Sequence, residues 1–398
     1  MDDHVSTRLL HALGAATDGD PASPDLTLSS YLASTGEGRP EQYLRADHPN
    51  WRMVEQVLGA LEDGDAVVFS SGQAASHALL ADLVASDHRI VVPDDGYYNT
   101  RALAALVTGP AAVDWVPVDQ RDADAVAAHL SGGRAALWVE TPSNPWLRIA
   151  DIAALGEVAA AHGAPMVCDN TLATALLQQP CDLGAHASSY SLTKALAGHS
   201  DLLMGAVVSR DRALIDRLRT WRTLTGGIPG AFSAWLALRS LKTLAVRLPR
   251  QCANAQAIAE HLARHDAVTA VHYPGVGPAR AVADRQMRGG YGPVLSFEVD
   301  GDVAIADAVV RGARLLIAGT SFGGVVSSWE RRGRWADETA PDTLIRVSAG
   351  IEHGDDLIAD IDRALTTATG RGPETSAEAP GAARPRPSPG SVGSPTAT

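Results

Sequence analysis

The stretch SSYSLTKALAGHSD, residues 188–201, contains Lys194, and the only other lysine in the 398-residue chain is Lys242; the remaining basic residues are arginine. Arginine stays protonated in proteins, whereas a lysine amine can lose its proton when its surroundings lower its pKa and can then attack a carbonyl carbon. That chemistry makes Lys194 a candidate nucleophile, although scarce lysine also follows from biased genome composition. Three other segments carry groups that would suit it. MVCDNT carries Asp169, at the close of an apolar run that reads as a strand. FSSGQAASHALL joins a strand to a helix through Ser70, Ser71 and Gly72. In SLTK, Ser191 and Thr193 alternate with Leu192, so at a strand end both hydroxyls point the same way.

An amine nucleophile, a carboxylate and an anion-binding turn are the parts needed to hold pyridoxal 5'-phosphate. Asp169 would lie at the carboxyl end of its strand, the end that faces the ligand crevice in an open parallel sheet. There it could keep the cofactor's ring nitrogen protonated, or it could simply open a turn before Asn170. The first helical turn after Ser71 leaves the backbone N–H groups of Gly72 and Gln73 free for a phosphate. Ser71 reads equally as an ordinary N-cap.

The elements that would position these groups are legible from pattern. Short apolar or β-branched runs occur at 66–70, 89–93, 112–116, 136–140, 165–169, 186–190 and 205–209. Most are separated by stretches of helical periodicity, as in DIAALGEVAAAH, where Ile152, Leu155, Val158 and Ala159 share a face. Alternating strands and helices predict an α/β fold with a seven-stranded, mostly parallel sheet covered on both faces. From about residue 231 longer helices dominate, followed by strands at 294–299 and 343–348 and a last amphipathic helix, which reads as a smaller C-terminal α+β domain. The expected division is an N-terminal arm at 1–45, a cofactor-binding domain at 46–230, a C-terminal domain at 231–369 and a disordered tail at 370–398. The tail is rich in proline, glycine, serine and alanine and cannot bury enough surface to offset its ordering entropy.

The net charge of −13 argues against a nucleic-acid partner, which needs a basic face. No apolar run approaches the ~20 residues that cross a bilayer. The start MDDHVSTRLLHALG lacks the layout of a signal peptide, so a cytoplasmic protein away from membranes is expected. Cys168, Cys181 and Cys252 show no metal-like spacing, and their odd number speaks against a disulfide framework. His162 and Cys168 read as helix-end and packing residues, and no metal is expected. His199, Ser200 and Asp201 spell a triad only as sequence neighbours, which seldom meet as a triad does.

The block CDNTLATALLQQPCDLGAHASSYSLTKALAGHSDLLMGAVV closely resembles the Cys/Met-metabolism branch of pyridoxal-phosphate enzymes, and the resemblance runs from about Tyr43 to about Leu365. It implies the fold-type I architecture of transferase-like enzymes. It also implies that Lys194 holds the cofactor covalently and later shuttles protons, that Asp169 pairs with the ring nitrogen, and that Gly72, Gln73, Ser191 and Thr193 hold the phosphate. Tyr97 matches the tyrosine that stacks on the cofactor ring and assists the leaving group, and Asn144 the residue beside the phenolic oxygen. Arg346, in TLIRVSAGIE, matches the substrate-carboxylate arginine, and Ser321 the serine of the loop facing it. Tyr43 and Arg45 match residues that reach a neighbouring subunit's phosphate, implying a dimer with shared sites, paired into a homotetramer.

The implied activity is that of a carbon–sulfur lyase. It would eliminate the γ-substituent of L-cystathionine or L-methionine to give 2-oxobutyrate, ammonia and a thiol. γ-Replacement on an activated homoserine, as in cystathionine γ-synthase, and β-elimination are the alternatives, with a specialised secondary-metabolism enzyme or a cofactor-free scaffold behind them. Departures from the family pattern cluster where specificity is set. Thr320 stands where γ-acting members often carry glutamate, Val326 replaces another glutamate, Asn99 replaces a cysteine common in methionine γ-lyases, and SSWERRGRW replaces the usual stretch after the loop.

Overall fold

The computed structural model describes residues 4–14, 22–33, 43–86, 88–111, 113–335 and 338–371. The large sheet contains β1 (Asp65–Phe69), β2 (Arg89–Pro93), β3 (Trp115–Val118), β4 (Ala135–Glu140), β5 (Met166–Asp169), β6 (Ala187–Ser191) and β7 (Gly205–Ser209). Their spatial order is β1-β7-β6-β5-β4-β2-β3, and β7 alone runs against the other six. Both faces are covered, so β4 and β7 are apolar along most of their length, whereas the equally central β6 carries Ser188, Ser189 and Ser191. Along β4, Ala136 and Trp138 enter one core while Leu137 and Val139 enter the opposite one, as the two-residue strand period requires. β4, β5 and β6 therefore end side by side at one edge of the sheet.

The expected strands match this sheet, with one shift: the third lies at Trp115–Val118 rather than 112–116. The preceding helix, Tyr98–Ala111, runs up to residue 111. The strand then takes in Pro117, which an edge strand tolerates because one side needs no ladder donor.

A second sheet contains β8 (Val268–His272), β9 (Val294–Val299), β10 (Ile317–Ala318), β11 (Ser328–Arg331) and β12 (Leu344–Ser348), in the order β10-β11-β12-β9-β8. All its neighbours are antiparallel except β10 and β11. It packs against the helices Val303–Gly312 and Gly354–Thr369 around Phe297, Trp329, Ile345 and Ile361.

The helix Ala231–Leu241 packs in the core of the large sheet, although it follows the change of sequence character at residue 231. The helix Leu244–Leu262 belongs to both cores, contributing Leu244, Leu248 and Cys252 to the first and Ala255, Ile258, Ala259 and Leu262 to the second. One continuous helix thus ties the two sheets together. The expected tail lies outside the described residues beyond Arg371, as does part of the expected N-terminal arm.

Candidate active site

Three strand ends build the floor of one cavity. β4 ends in Glu140 and β5 in Asp169, which are direct neighbours across the parallel ladder. Both carboxyls are buried and both titrate above their ordinary values, Glu140 well above, through burial first and then the charge of Asp169. Glu140 is fixed by two backbone donors: Tyr97 N at 2.8 Å to Oε2 and Asn144 N at 2.8 Å to Oε1. It thereby ties the Tyr97 and Asn144 loops to the sheet. Asp169 accepts from Thr171 N at 3.0 Å, and Thr171 Oγ1 in turn accepts from Ser191 N at 2.8 Å, linking β5 to the end of β6.

The expected anion-binding end is the first turn of the helix Gly72–Ala85. Ser71 caps it by accepting from Ala74 N at 3.1 Å. The N–H groups of Gly72 and Gln73, ahead of the capped one, are without a backbone acceptor among the described residues. The turn lies so close to β6 that a Cβ on Gly72 would sit 2.7 Å from Ser191 Cβ. Ser71 is therefore an N-cap that also lines the cavity, so the two readings of this serine do not compete. Ser191 and Thr193 line the same cavity, while Leu192 between them is buried in the core.

Lys194 follows in the turn after β6. Its Nζ donates to Ser321 Oγ at 2.8 Å and lies 4.7 Å from the centre of the Phe322 ring. Burial, with the nearby Arg346 charge added, lowers its pKa from 10.5 to about 8. The loop that supplies Ser321 is pressed against the lysine's own backbone: Gly323 has φ +82°, and a Cβ there would lie 2.4 Å from Ala195 N. Ser321 itself has φ +77°, a left-handed conformation that costs a non-glycine residue roughly 1–2 kcal/mol. That geometry turns its Oγ to Lys194 and its carbonyl to Arg346, whose Nη2 donates to it at 3.1 Å.

Arg346, on β12, comes from the second sheet and is 3% exposed. Nη1 donates to Asn144 Oδ1 at 2.7 Å and Nη2 to Glu330 Oε1 at 2.6 Å. Burial and the neighbouring Arg332 lower its pKa to about 10, so it remains a cation at neutral pH. Glu330, on β11, also accepts from Arg332 and Arg334 at 2.8 Å each, from Trp335 Nε1 at 3.2 Å and from Thr320 Oγ1 at 3.2 Å. Burial would raise its pKa, but Arg346 and Arg332 outweigh burial and hold the carboxyl below the ordinary value.

Every candidate named from sequence lines this cavity except Tyr43 and Arg45. Those two pack together, the Arg45 guanidinium 5.3 Å from the Tyr43 ring, and Arg45 donates to the Thr223 carbonyl away from this chain's own cavity. Tyr97 lines the cavity with its hydroxyl pushed up in pKa by burial and accepting from Asn99 Nδ2 at 2.7 Å. Val326 is half exposed and is not part of the cavity wall. The three cysteines are free and buried. Sequence reasoning missed Glu140, Tyr98, Phe322, Glu330 and Arg332. Glu140 carried a usable signal, because it closes the strand beside Asp169. Glu330 and Arg332 stood out only as a departure without an assigned place.

The donor set fits pyridoxal 5'-phosphate. Asp169 is buried at the cavity floor and has no ion-pair partner among the described residues, a deficit that a protonated ring nitrogen would fill. The first turn at Gly72 and the Ser191 hydroxyl offer the phosphate its donors, and Lys194 offers an amine already close to deprotonation. Comparison with known proteins agrees with that chemistry. Residues 22–366 match the family described as Cys/Met metabolism PLP-dependent enzyme. The chain is 40% identical over 362 residues to a putative cystathionine gamma-lyase of Streptomyces coelicolor, covering 88% of this chain and 90% of that one. It is 37% identical over 377 residues to cystathionine gamma-synthase of Mycobacterium tuberculosis, covering 90% and 96%. The solved structure of a cystathionine gamma lyase, CalE6 from Micromonospora echinospora, superposes with a TM-score of 0.85 at 36% identity, covering 92% of this chain and 99% of that one. The cavity chemistry and these likenesses lead to one conclusion, that the chain belongs to the Cys/Met-metabolism family of pyridoxal-phosphate-dependent enzymes, which act on amino acids.

Proposed function

We propose that this enzyme eliminates the γ-substituent of a sulfur-containing L-amino acid, cystathionine or methionine, giving 2-oxobutyrate, ammonia and a thiol. The observation that carries the reading is the Lys194 amine, poised at a pKa of about 8 and aimed by Ser321 beside Arg346, which Asn144 and Glu330 hold in place. Arg346 takes the substrate carboxylate through its planar fork, and Asn144 and Glu330 fix the fork's orientation. When bound, pyridoxal phosphate supplies an electrophilic carbon for the substrate amine and a ring that withdraws electrons from the α-carbon. Asp169 would support that withdrawal by holding the ring nitrogen in its protonated form.

Lys194 Nζ removes the α-proton, and its lowered pKa leaves an appreciable fraction of free amine near neutral pH. A γ-leaving group requires a second proton removed from the β-carbon, and Lys194 serves again, because the Tyr97 hydroxyl is held protonated by burial. Tyr97 can instead donate its proton to the departing sulfur. γ-Replacement is the second reading, favoured by the extensive likeness to a γ-synthase; there an incoming thiol bonds to the γ-carbon vacated by the leaving group and the α-amine is kept, whereas in elimination the γ-carbon takes up a proton and water releases ammonia from the α-carbon.

Tyr43 and Arg45, placed away from their own cavity, support a dimer in which they complete the neighbouring site, and the family likeness supports pairing of two such dimers. No helix among the described residues is long and apolar enough to cross a membrane, and we infer a cytoplasmic enzyme. Lys194→Ala should abolish both the cofactor's bound absorbance band and keto-acid release. Turnover at the wild-type rate would overturn the assignment.

A further inference from the structure

One cation on the cavity wall has no task in the reaction above. Arg332 follows β11 in the turn Arg332–Arg334 and lines the cavity with its guanidinium carbon 6.0 Å from the centre of the Tyr98 ring. Carboxylates lock it from behind. Nη1 donates to Glu330 Oε1 at 2.8 Å, and Nη2 and Nε donate to Glu338 Oε2 at 2.6 and 3.1 Å. An arginine has five N–H donors, so one on each terminal nitrogen has no acceptor among the described residues. Its charge is felt across the cavity, where it disfavours the protonated forms of Lys194 and Arg346.

Among the described residues, nothing at this end of the cavity suits a cation. Glu330 Oε1 already accepts from Arg346, Arg332 and Thr320, and its Oε2 accepts from Arg334 and Trp335. The carboxylates that line the cavity itself, Glu140 and Asp169, belong to the sheet floor. Arg332 and Arg346 share one oxygen of Glu330, so the two guanidiniums stand no more than two hydrogen-bond lengths apart. A substrate held by its carboxylate on Arg346 therefore lies within reach of Arg332.

We propose that Arg332 reads the far end of the substrate side chain. It selects γ-substituted L-amino acids that end in an anion or a hydrogen-bond acceptor and rejects those that end in a cation. This rests on Arg346 as the holder of the α-carboxylate. Arg332 is a specificity residue and takes no part in the proton transfers.

The test uses cofactor-loaded protein and three S-substituted L-homocysteines of matched length, carrying 2-carboxyethyl, propyl or 2-aminoethyl groups. Apparent dissociation constants come from the change in cofactor absorbance on mixing, and keto-acid release is followed separately. At pH 7.5 the carboxyethyl compound should bind about tenfold or more tightly than the aminoethyl compound, the effect of one charge-assisted hydrogen bond. In Arg332→Met/Glu338→Gln, which removes a buried ion pair together and so leaves neither charge stranded, that ratio should fall to within about threefold. A wild-type ratio near one overturns the proposal without recourse to any variant. A ratio that survives in the double variant also overturns it, and equal weakening of all three compounds would mean that Arg332 shares the α-carboxylate with Arg346. Absence of 2-oxobutyrate would refute the elimination reading and leave the binding ratio readable.

Discussion

Replacing Lys194 by methionine is expected to stabilise the cofactor-free protein at neutral pH while destroying its chemistry. An ordinary lysine titrates at 10.5, whereas Lys194 titrates at about 8 because burial and Arg346 disfavour its charged form. Between these values the unfolded chain holds the extra proton, so stability rises with pH across the window from 8 to 10.5. At pH 7 the gap corresponds to about 3 kcal/mol withheld from the folded state, and at pH 10 to less than about 1 kcal/mol. Methionine has a similar stem and no charge, but it forfeits the bond to Ser321 Oγ, a loss of about 1 kcal/mol. The net expectation is a gain of about 2 kcal/mol at pH 7 that vanishes by pH 10. Urea unfolding of the two cofactor-free proteins at pH 7, 8.5 and 10, followed by circular dichroism, measures the difference directly, and other titrating groups cancel between them. A variant less stable than the parent at pH 7, or a difference that does not change with pH, would refute the placement of a desolvated amine at this position.

Three further substitutions probe separate parts of the account. Gly72→Ala puts a Cβ 2.7 Å from Ser191 Cβ and should weaken binding of pyridoxal phosphate about tenfold or more by pushing the first turn off the phosphate position; equilibrium dialysis of the cofactor reads this. Glu330→Gln should raise KM for the amino acid more than it lowers kcat, because Arg346 loses its charged anchor but keeps Asn144; an unchanged KM would show that the anchor is dispensable. Glu62 is buried against Ser188 Oγ at 2.7 Å and the Tyr190 hydroxyl, and burial raises its pKa. The folded state binds its proton more tightly than the unfolded chain, so the group's contribution to stability is full at low pH and is lost as pH rises through the folded value. Glu62→Gln should therefore raise the Tm at pH 8 relative to the parent and bring no such gain at pH 4.

The large sheet was legible because its strands are buried on both faces and read as short apolar runs, of which β4 and β7 are the clearest. Asp169, Lys194 and the Gly72 turn were legible for a related reason: each sits at the end of such a run, where chain geometry dictates what the side chain meets. β8, β10 and β11 were not anticipated. β10 is two exposed residues, and β11 carries Glu330 and Arg331, so neither shows a strand's alternation. The cluster of Glu330, Arg332 and Arg346 was opaque for a deeper reason. Its members come from β11, the turn after it and β12, and charged residues in sequence ordinarily mark a solvated surface. Only the pairing of β11 with β12, which sets Glu330 opposite Arg346, shows that these charges are buried and satisfy one another.

The central claim is that this cavity carries out γ-elimination. The measurement that tests it most directly is the identity of the keto acid released from L-cystathionine by purified, cofactor-loaded protein, resolved by chromatography against authentic standards. The account predicts 2-oxobutyrate together with free cysteine. Pyruvate with homocysteine would contradict it and place the bond cleavage at the β-carbon.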